Sequence, residues 1–150
     1  MIEESGVTID APAEHVWRVF TDVERWPEWT RSVTRVQVAG DGGGGLRVGT
    51  AVRIKQPRFP TLTWEVTDLQ PGVSWTWVTR SPGATTTAVH ELEPVDGGTT
   101  RVRQRIEQTG PIGALVGLAT RATTRRYLAM EAAGLKRRCE ATRDAGAAGA

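Results

Sequence analysis

Few side chains in this sequence have the chemistry of a reaction centre. His90 stands in Ala88-Val-His-Glu-Leu92, where alternation sets Ala88, His90 and Leu92 against Val89 and Glu91, so its imidazole points to the buried side of a strand. A neutral imidazole there can move a proton in an aldol or dehydration step, or it can be a core histidine satisfied by one neighbour. His15 falls on the polar side of a short helix and is expected to be solvated. Cys139 is the single cysteine, which excludes an internal disulfide and a multi-cysteine metal site. With no histidine partner in sequence view, it reads as a packing residue. No Gly-x-Ser-x-Gly elbow occurs, and one inward histidine without a carboxylate at ligand spacing makes no metal centre. The run Gly40-Asp-Gly-Gly-Gly-Gly45 lacks the Lys-Ser/Thr of a phosphate loop. It reads as a flexible hairpin connection, and no cofactor is expected.

Polar residues share the faces of the tryptophans. Alternation directs Gln56, Gln104 and Gln108 inward with His90, on the strand faces that also carry Trp64, Trp75 and Trp77. A buried amide or imidazole without a partner costs ~1–3 kcal/mol. Four such groups are a heavy burden in a solid apolar core, whereas water or a polar-tipped ligand in a cavity satisfies them.

The element that must cover them is a helix predicted from Gly110 to about Arg143. Pro111 sits where a first-turn proline leaves no bond unmade, and no proline follows it. About 30 residues at 1.5 Å each run ~45 Å, whereas a compact domain of this length has a radius of gyration near ~15 Å. The helix therefore crosses the whole molecule. Around Leu128 one strip collects Gly117, Arg121, Thr124, Ala132, Leu135 and Cys139, most of them small. Arg121 on this strip either holds the acidic or carbonyl end of a ligand or snorkels to the rim. The uncharged segment Gly110 to Thr120 is too short to span a bilayer.

Strands are predicted at Glu3–Ile9, from Ser32 through Val38, and at Thr50–Gln56, Leu62–Leu69, Val73–Thr79, Thr85–Glu93 and Thr100–Thr109, with Val73, Trp75 and Trp77 on a common face. Pro71-Gly72 and Asp96-Gly-Gly98 are turn signals. Between the first two strands, Asp10-Ala-Pro-Ala-Glu14 starts a helix, with Asp10 or Ala11 at the cap and Val16, Trp17 and Phe20 on its buried face. Asp22 is positioned to cap a short turn through Trp26, and Pro27 restarts the chain. Trp26, Pro27 and Trp29 either rim a cavity or wedge the short helices onto the sheet. Strands joined by short turns form an antiparallel meander with one wet face. Such a sheet and helix either pack solidly, large residues against small, or enclose a gap. The inward polar groups favour the gap.

At 150 residues, one domain is expected, residues 1–143, with a flexible tail from 144 to 150. The formal charge is +2, with 17 arginines and 2 lysines scattered among 17 acidic residues. That mixture gives little support to nucleic-acid binding. No signal-peptide pattern occurs at the N-terminus, so a cytoplasmic protein without an integral membrane segment is expected.

The run Ile9-Asp-Ala-Pro-Ala-Glu-His-Val-Trp-Arg-Val-Phe-Thr-Asp-Val-Glu-Arg-Trp-Pro-Glu-Trp-Thr30, with Ser32-Val33 and a strand after it, resembles the opening of the polyketide cyclase/dehydrase branch of the START-related (SRPBCC) superfamily. Lys55-Gln-Pro57, Trp64-Glu-Val66, Trp75-Thr-Trp77, His90-Glu-Leu92, Gly97-Gly-Thr-Thr-Arg101 and Glu131 to Leu135 agree with it. The resemblance implies an α+β helix-grip fold: about seven antiparallel strands wrapped around a long C-terminal helix, two short helices between the first two strands, and a cavity between. It also implies an apolar ligand such as a lipid, sterol or polyketide.

The leading expectation is a carrier or sensor that binds a small hydrophobic molecule, without a catalytic step. Trp64, Trp75, Trp77, Leu128 and Leu135 form its walls, and Gln56, His90 and Gln104, with Arg121, its polar contacts. The alternatives are a cyclase, aromatase or dehydratase using His90, and a protein-interaction module contacting partners through Gly110 to Thr120. A monomer and a homodimer are both compatible with the sequence.

Overall fold

Alternation of apolar and polar residues builds seven strands, β1 (Ile2–Ile9), β2 (Arg35–Val38), β3 (Ala51–Lys55), β4 (Leu62–Gln70), β5 (Ser74–Ser81), β6 (Ala84–Asp96) and β7 (Thr99–Thr109). The computed structural model describes residues 1–40 and 45–148. Residues 41–44 of the predicted glycine-rich connection, and 149–150 of the predicted tail, lie outside the described residues. The strands form one antiparallel sheet in the order β1-β7-β6-β5-β4-β3-β2, so the first strand closes against the last. Irregular pairing between Val66 and Asp68, and between Pro94 and Asp96, adds local bend and twist to a curved sheet. The register sets His90 opposite Trp75 on one side and Gln104 on the other.

Two helical pieces follow β1: α1 (Ala13–Thr21) and a 3-10 helix, Val23–Glu28. Local capping differs from expectation. Pro12, in extended conformation, precedes α1, and neither helix has a side-chain cap. Asp22 pairs with Arg25 at 3.2 Å instead, and Asp10 with Arg143. Pro27 lies inside the 3-10 helix rather than restarting the chain. Val73 is exposed in the turn before β5, off the face of Trp75 and Trp77.

The long helix α2 (Gly113–Ala148) continues past the predicted end at Arg143. Its C-terminal half packs on α1, which removes His15 from the solvent predicted for it: the imidazole is buried, with Nε2 2.8 Å from Thr142 Oγ. Burial there holds its pKa below the ordinary histidine value.

Aromatic side chains fill one end of the space under α2. Phe20 stacks on Trp26 at 5.7 Å and meets Trp75 edge-on at 4.7 Å. Trp75 lies flat on His90 at 4.0 Å. Trp26 donates its indole N–H to the Phe20 carbonyl at 2.9 Å and is 2% exposed. The Trp26-Pro-Glu-Trp29 segment is thus a wedge between the short helices and the sheet.

α2 seats beside this wedge because it carries no side chain at Gly134. A Cβ there would lie 2.0 Å from the Trp29 carbonyl oxygen. Gly134→Ala would gain up to ~1 kcal/mol of helix propensity, but it must push apart two backbone segments, an overpacking that costs ~1–3 kcal/mol or more. A lower melting temperature than wild type is expected by circular dichroism. An unchanged one would mean that helix and loop do not touch.

Candidate functional site

Beyond the aromatic wedge the space between sheet and helix is open. A cavity of about 290 Å³ is walled by Leu62, Trp64 and Ile106 from the sheet and by Val116, Thr124 and Leu128 from α2, with Phe59 and Tyr127 at one side. Val116, Thr120 and Thr124 of the helix do not close the gap opposite the sheet. A second, inner void of about 60 Å³ lies among Trp26, Trp77, His90 and Gln104. Gln56, Trp64, Ile106 and Glu131 border both.

Glu131 is the group that sequence reasoning missed. It is 8% exposed. Gln104 Nε2–H donates to one of its carboxyl oxygens at 2.9 Å, and the Ser32 hydroxyl to the other at 3.3 Å. Ser32 in turn shares a 2.7 Å hydrogen bond with the Thr30 hydroxyl. These donors are neutral, and no cation pairs with the carboxyl among the described residues. Burial therefore dominates and raises its pKa from 4.5 to about 7, with the Gln104 and Ser32 hydrogen bonds working the other way. Near neutral pH this carboxyl can both give and take a proton. A signal existed in the sequence: three residues after Leu128 and four before Leu135, position 131 shares their helix face.

His90 is less suited to proton transfer than its sequence position suggests. Nδ1 lies 3.2 Å from the Trp75 carbonyl, and burial depresses its pKa to about 3. The imidazole is neutral throughout the physiological range.

The predicted contacts divide into three groups. Gln56 and Trp64 border both voids, Leu128 lines the larger, and Trp77, His90 and Gln104 line the smaller. Trp75 and Leu135, 0% and 1% exposed, belong to the solid core and border neither. Arg121 lies outside, paired at 2.8 Å with Glu3, which also takes Arg125 at 2.7 Å. At that turn α2 lies over β1 rather than over the cavity. Arg125 and Arg121 in turn hold the Glu3 carboxylate below its usual pKa range. Gln108, whose strand alternation directs it inward, lines the larger cavity, and so does Tyr127, which the sequence does not single out. In the uncharged segment Val116 faces the cavity while Leu115 and Leu118 are 67% and 62% exposed.

A curved seven-stranded sheet gripping a long C-terminal helix is the helix-grip fold. The chain belongs to the family described as polyketide cyclase/dehydrase and lipid transport, which matches residues 2–140. Solved structures share the fold at low identity. One is the ZhuI aromatase/cyclase from a Streptomyces species, at 17% identity, TM-score 0.75, covering 95% of this chain and 94% of that one. A START superfamily protein from Mycobacterium smegmatis follows at 14% identity, TM-score 0.71, with 93% and 97% covered. The di-domain ARO/CYC BexL is 21% identical with TM-score 0.69 over 90% of this chain, which spans 46% of that protein's length. No curated protein matches. No helix among the described residues is long and apolar enough to cross a membrane.

Glu131 makes a prediction with a definite sign. Its folded pKa lies above its unfolded one, so its contribution to stability is full below pH 4.5 and lost as pH rises through about 7, a loss of ~3 kcal/mol. His90 acts oppositely, its contribution being full above pH 6.5 and lost as pH falls towards about 3. Glu131→Gln isolates the first effect. The variant should melt above wild type at pH 8–9, with the gap closing below pH 4.5; a gap independent of pH would show that the carboxyl does not titrate in this range.

Proposed function

We propose that the cavity encloses a small, mainly apolar molecule carrying one hydrogen-bonding group, and that the protein acts as its soluble carrier or sensor. The observation that carries this reading is the 290 Å³ cavity itself, mainly apolar in surface, with Gln108 and several hydroxyl side chains on its walls and Glu131 and Gln56 where it meets the inner void. That volume lies at the lower edge of the ~300–1,000 Å³ common for ligand pockets, and equals about ten waters of liquid volume. It suits one or two fused rings or one short chain, and not an intact two-chain lipid. Enclosure supplies the affinity at about 25 cal/mol per Å² of apolar surface removed from water. A carbonyl or hydroxyl on the ligand would meet Glu131, which offers a proton below pH 7 and accepts a hydrogen bond above it. The family's description, with its lipid transport, supports the class of ligand.

A second reading, a polyketide cyclase or dehydratase, is favoured by Glu131. Its pKa near 7 fits a group that takes a proton from a carbon beside a carbonyl and returns it to a departing hydroxyl, which leaves as water. In that reading Glu131 replaces His90 as the acid/base, and the aromatase/cyclase named among the fold neighbours is in keeping with it.

Thr124→Phe places a ring in the cavity without touching Glu131. Wild type should bind a neutral apolar fluorophore such as Nile red and release a bound small molecule in native mass spectrometry. The variant should fold and do neither. Equal probe binding by both would locate uptake elsewhere and remove the cavity reading. Turnover of a polyketide-like substrate by wild type, lost in Glu131→Gln with binding retained, would establish the second reading over the first.

A further inference from the structure

Many of the arginines have acidic partners. Arg25 pairs with Asp22, Arg80 with Glu65, Arg103 with Glu93, and Arg121 and Arg125 with Glu3. Along one flank of α2 that pattern stops. There the helix from Ala122 to Arg138, the Pro27–Arg31 segment and the Pro57–Arg58 turn enclose a surface groove with two lobes, of about 740 and 440 Å³. Arg31, Arg126 and Met130 line both lobes and so stand at the waist. Arg58 lines the smaller lobe, Arg137 and Arg138 the larger. The one acidic residue of the lining, Glu28, is taken by Arg138 at 2.7 Å. Arg31, Arg58, Arg126 and Arg137 have no acidic partner among the described residues.

An independent observation singles out Arg58. With φ at 74°, it is the one non-glycine residue in the left-handed region among the described residues, a conformation glycine or asparagine adopts with less strain. The turn is clamped: Tyr127 donates its hydroxyl to the Pro57 carbonyl at 2.9 Å, Phe59 meets Tyr127 edge-on at 5.8 Å, and Lys55 donates to the Phe59 carbonyl. Strain that the surroundings enforce is a pointer to function. Here it puts a guanidinium into the lobe that Arg31 and Arg126 already line.

We propose that this groove binds a soluble phosphate-bearing small molecule, with its phosphates in the smaller lobe among Arg31, Arg58 and Arg126 and its remainder past the waist along Ala129, Met130 and Ala133. Guanidinium groups bind phosphate through paired hydrogen bonds and remain charged at any physiological pH. The groove is concave, so a compact anion enters it where a flat anionic bilayer cannot. The groove lies outside the interior cavity and shares with it only Tyr127, so the proposal does not rest on the identity of the cavity's guest.

Isothermal titration with pyrophosphate at roughly 0.1 M ionic strength tests it on three proteins: wild type, Arg31→Ala/Arg126→Ala, and the control Arg53→Ala/Arg101→Ala, which removes two exposed arginines of the outer sheet face. Saturable one-site binding is expected for wild type and control, and binding weaker by about ten-fold or more in the groove variant, with circular dichroism unchanged. Arg58→Gly should relieve the backbone and melt higher while binding pyrophosphate more weakly. Equal loss in groove variant and control would reduce the effect to diffuse charge and overturn the site. Groove-dependent binding of acidic vesicles or an oligonucleotide, without pyrophosphate binding, would overturn the choice of partner, as would an Arg58→Gly protein of undiminished affinity.

Discussion

The Trp29 carbonyl occupies the space that a side chain at position 134 would need, and this contact determines how deeply α2 lies against the rest of the chain. A second glycine, Gly117, rests over the Gln108 side chain and Met1. Between the two the helix runs ~25 Å, held near both ends and free to span what lies beneath. What lies beneath is unevenly filled. Towards Gly134, the 3-10 helix delivers Trp26 against Phe20, Trp75 and Trp77, and the space is filled but for the small inner void. Towards Gly117, Val116, Thr120 and Thr124 face Leu62 and Ile106, and their combined bulk does not close the gap. The hollow is therefore a remainder, set by where the aromatic wedge stops.

Glu131 and His90 occupy the same interior under similar burial, with opposite results. Desolvation penalises whichever form is charged, so it strips the imidazole of its proton and keeps one on the carboxyl. Between about pH 3 and about pH 7 both groups are neutral, and the interior carries no net charge from them. The arrangement suits an uncharged guest. A buried carboxyl surrounded only by neutral donors costs stability once it ionises, and perturbed carboxyls of this kind concentrate at functional sites.

Much of the fold was legible because alternation and turn chemistry are local. The arginine face of β7 and the paired Ala88, His90 and Leu92 of β6 need only their own strands to be placed. The long helix announced itself through the absence of any proline after Pro111, although it begins at Gly113 and leaves Pro111 in the turn before it. What the sequence could not settle was which other element each face would meet. His15 is polar-sided on α1, yet α2 lies across it. Arg121 points along the same strip as Leu128, but seven residues earlier that strip passes over Glu3 of β1. Glu131 shared a helix face with Leu128 and Leu135, and an anionic residue in an apolar strip reads as surface until a partner such as Gln104 is known to reach it. Asp10 and Asp22 looked like caps, and both formed ion pairs with arginines instead.

Among the tryptophans, Trp64 alone borders the larger cavity, while Trp75 lies flat against an imidazole and Trp26 is locked by its indole hydrogen bond. The indoles therefore sit in unlike optical environments. A guest displacing water beside Trp64 would shift the emission of that indole directly, with Trp77 at 6.0 Å close enough to exchange excitation with it. The molecule thus contains its own spectroscopic gauge of occupancy, and filling of the cavity can be followed in unlabelled protein.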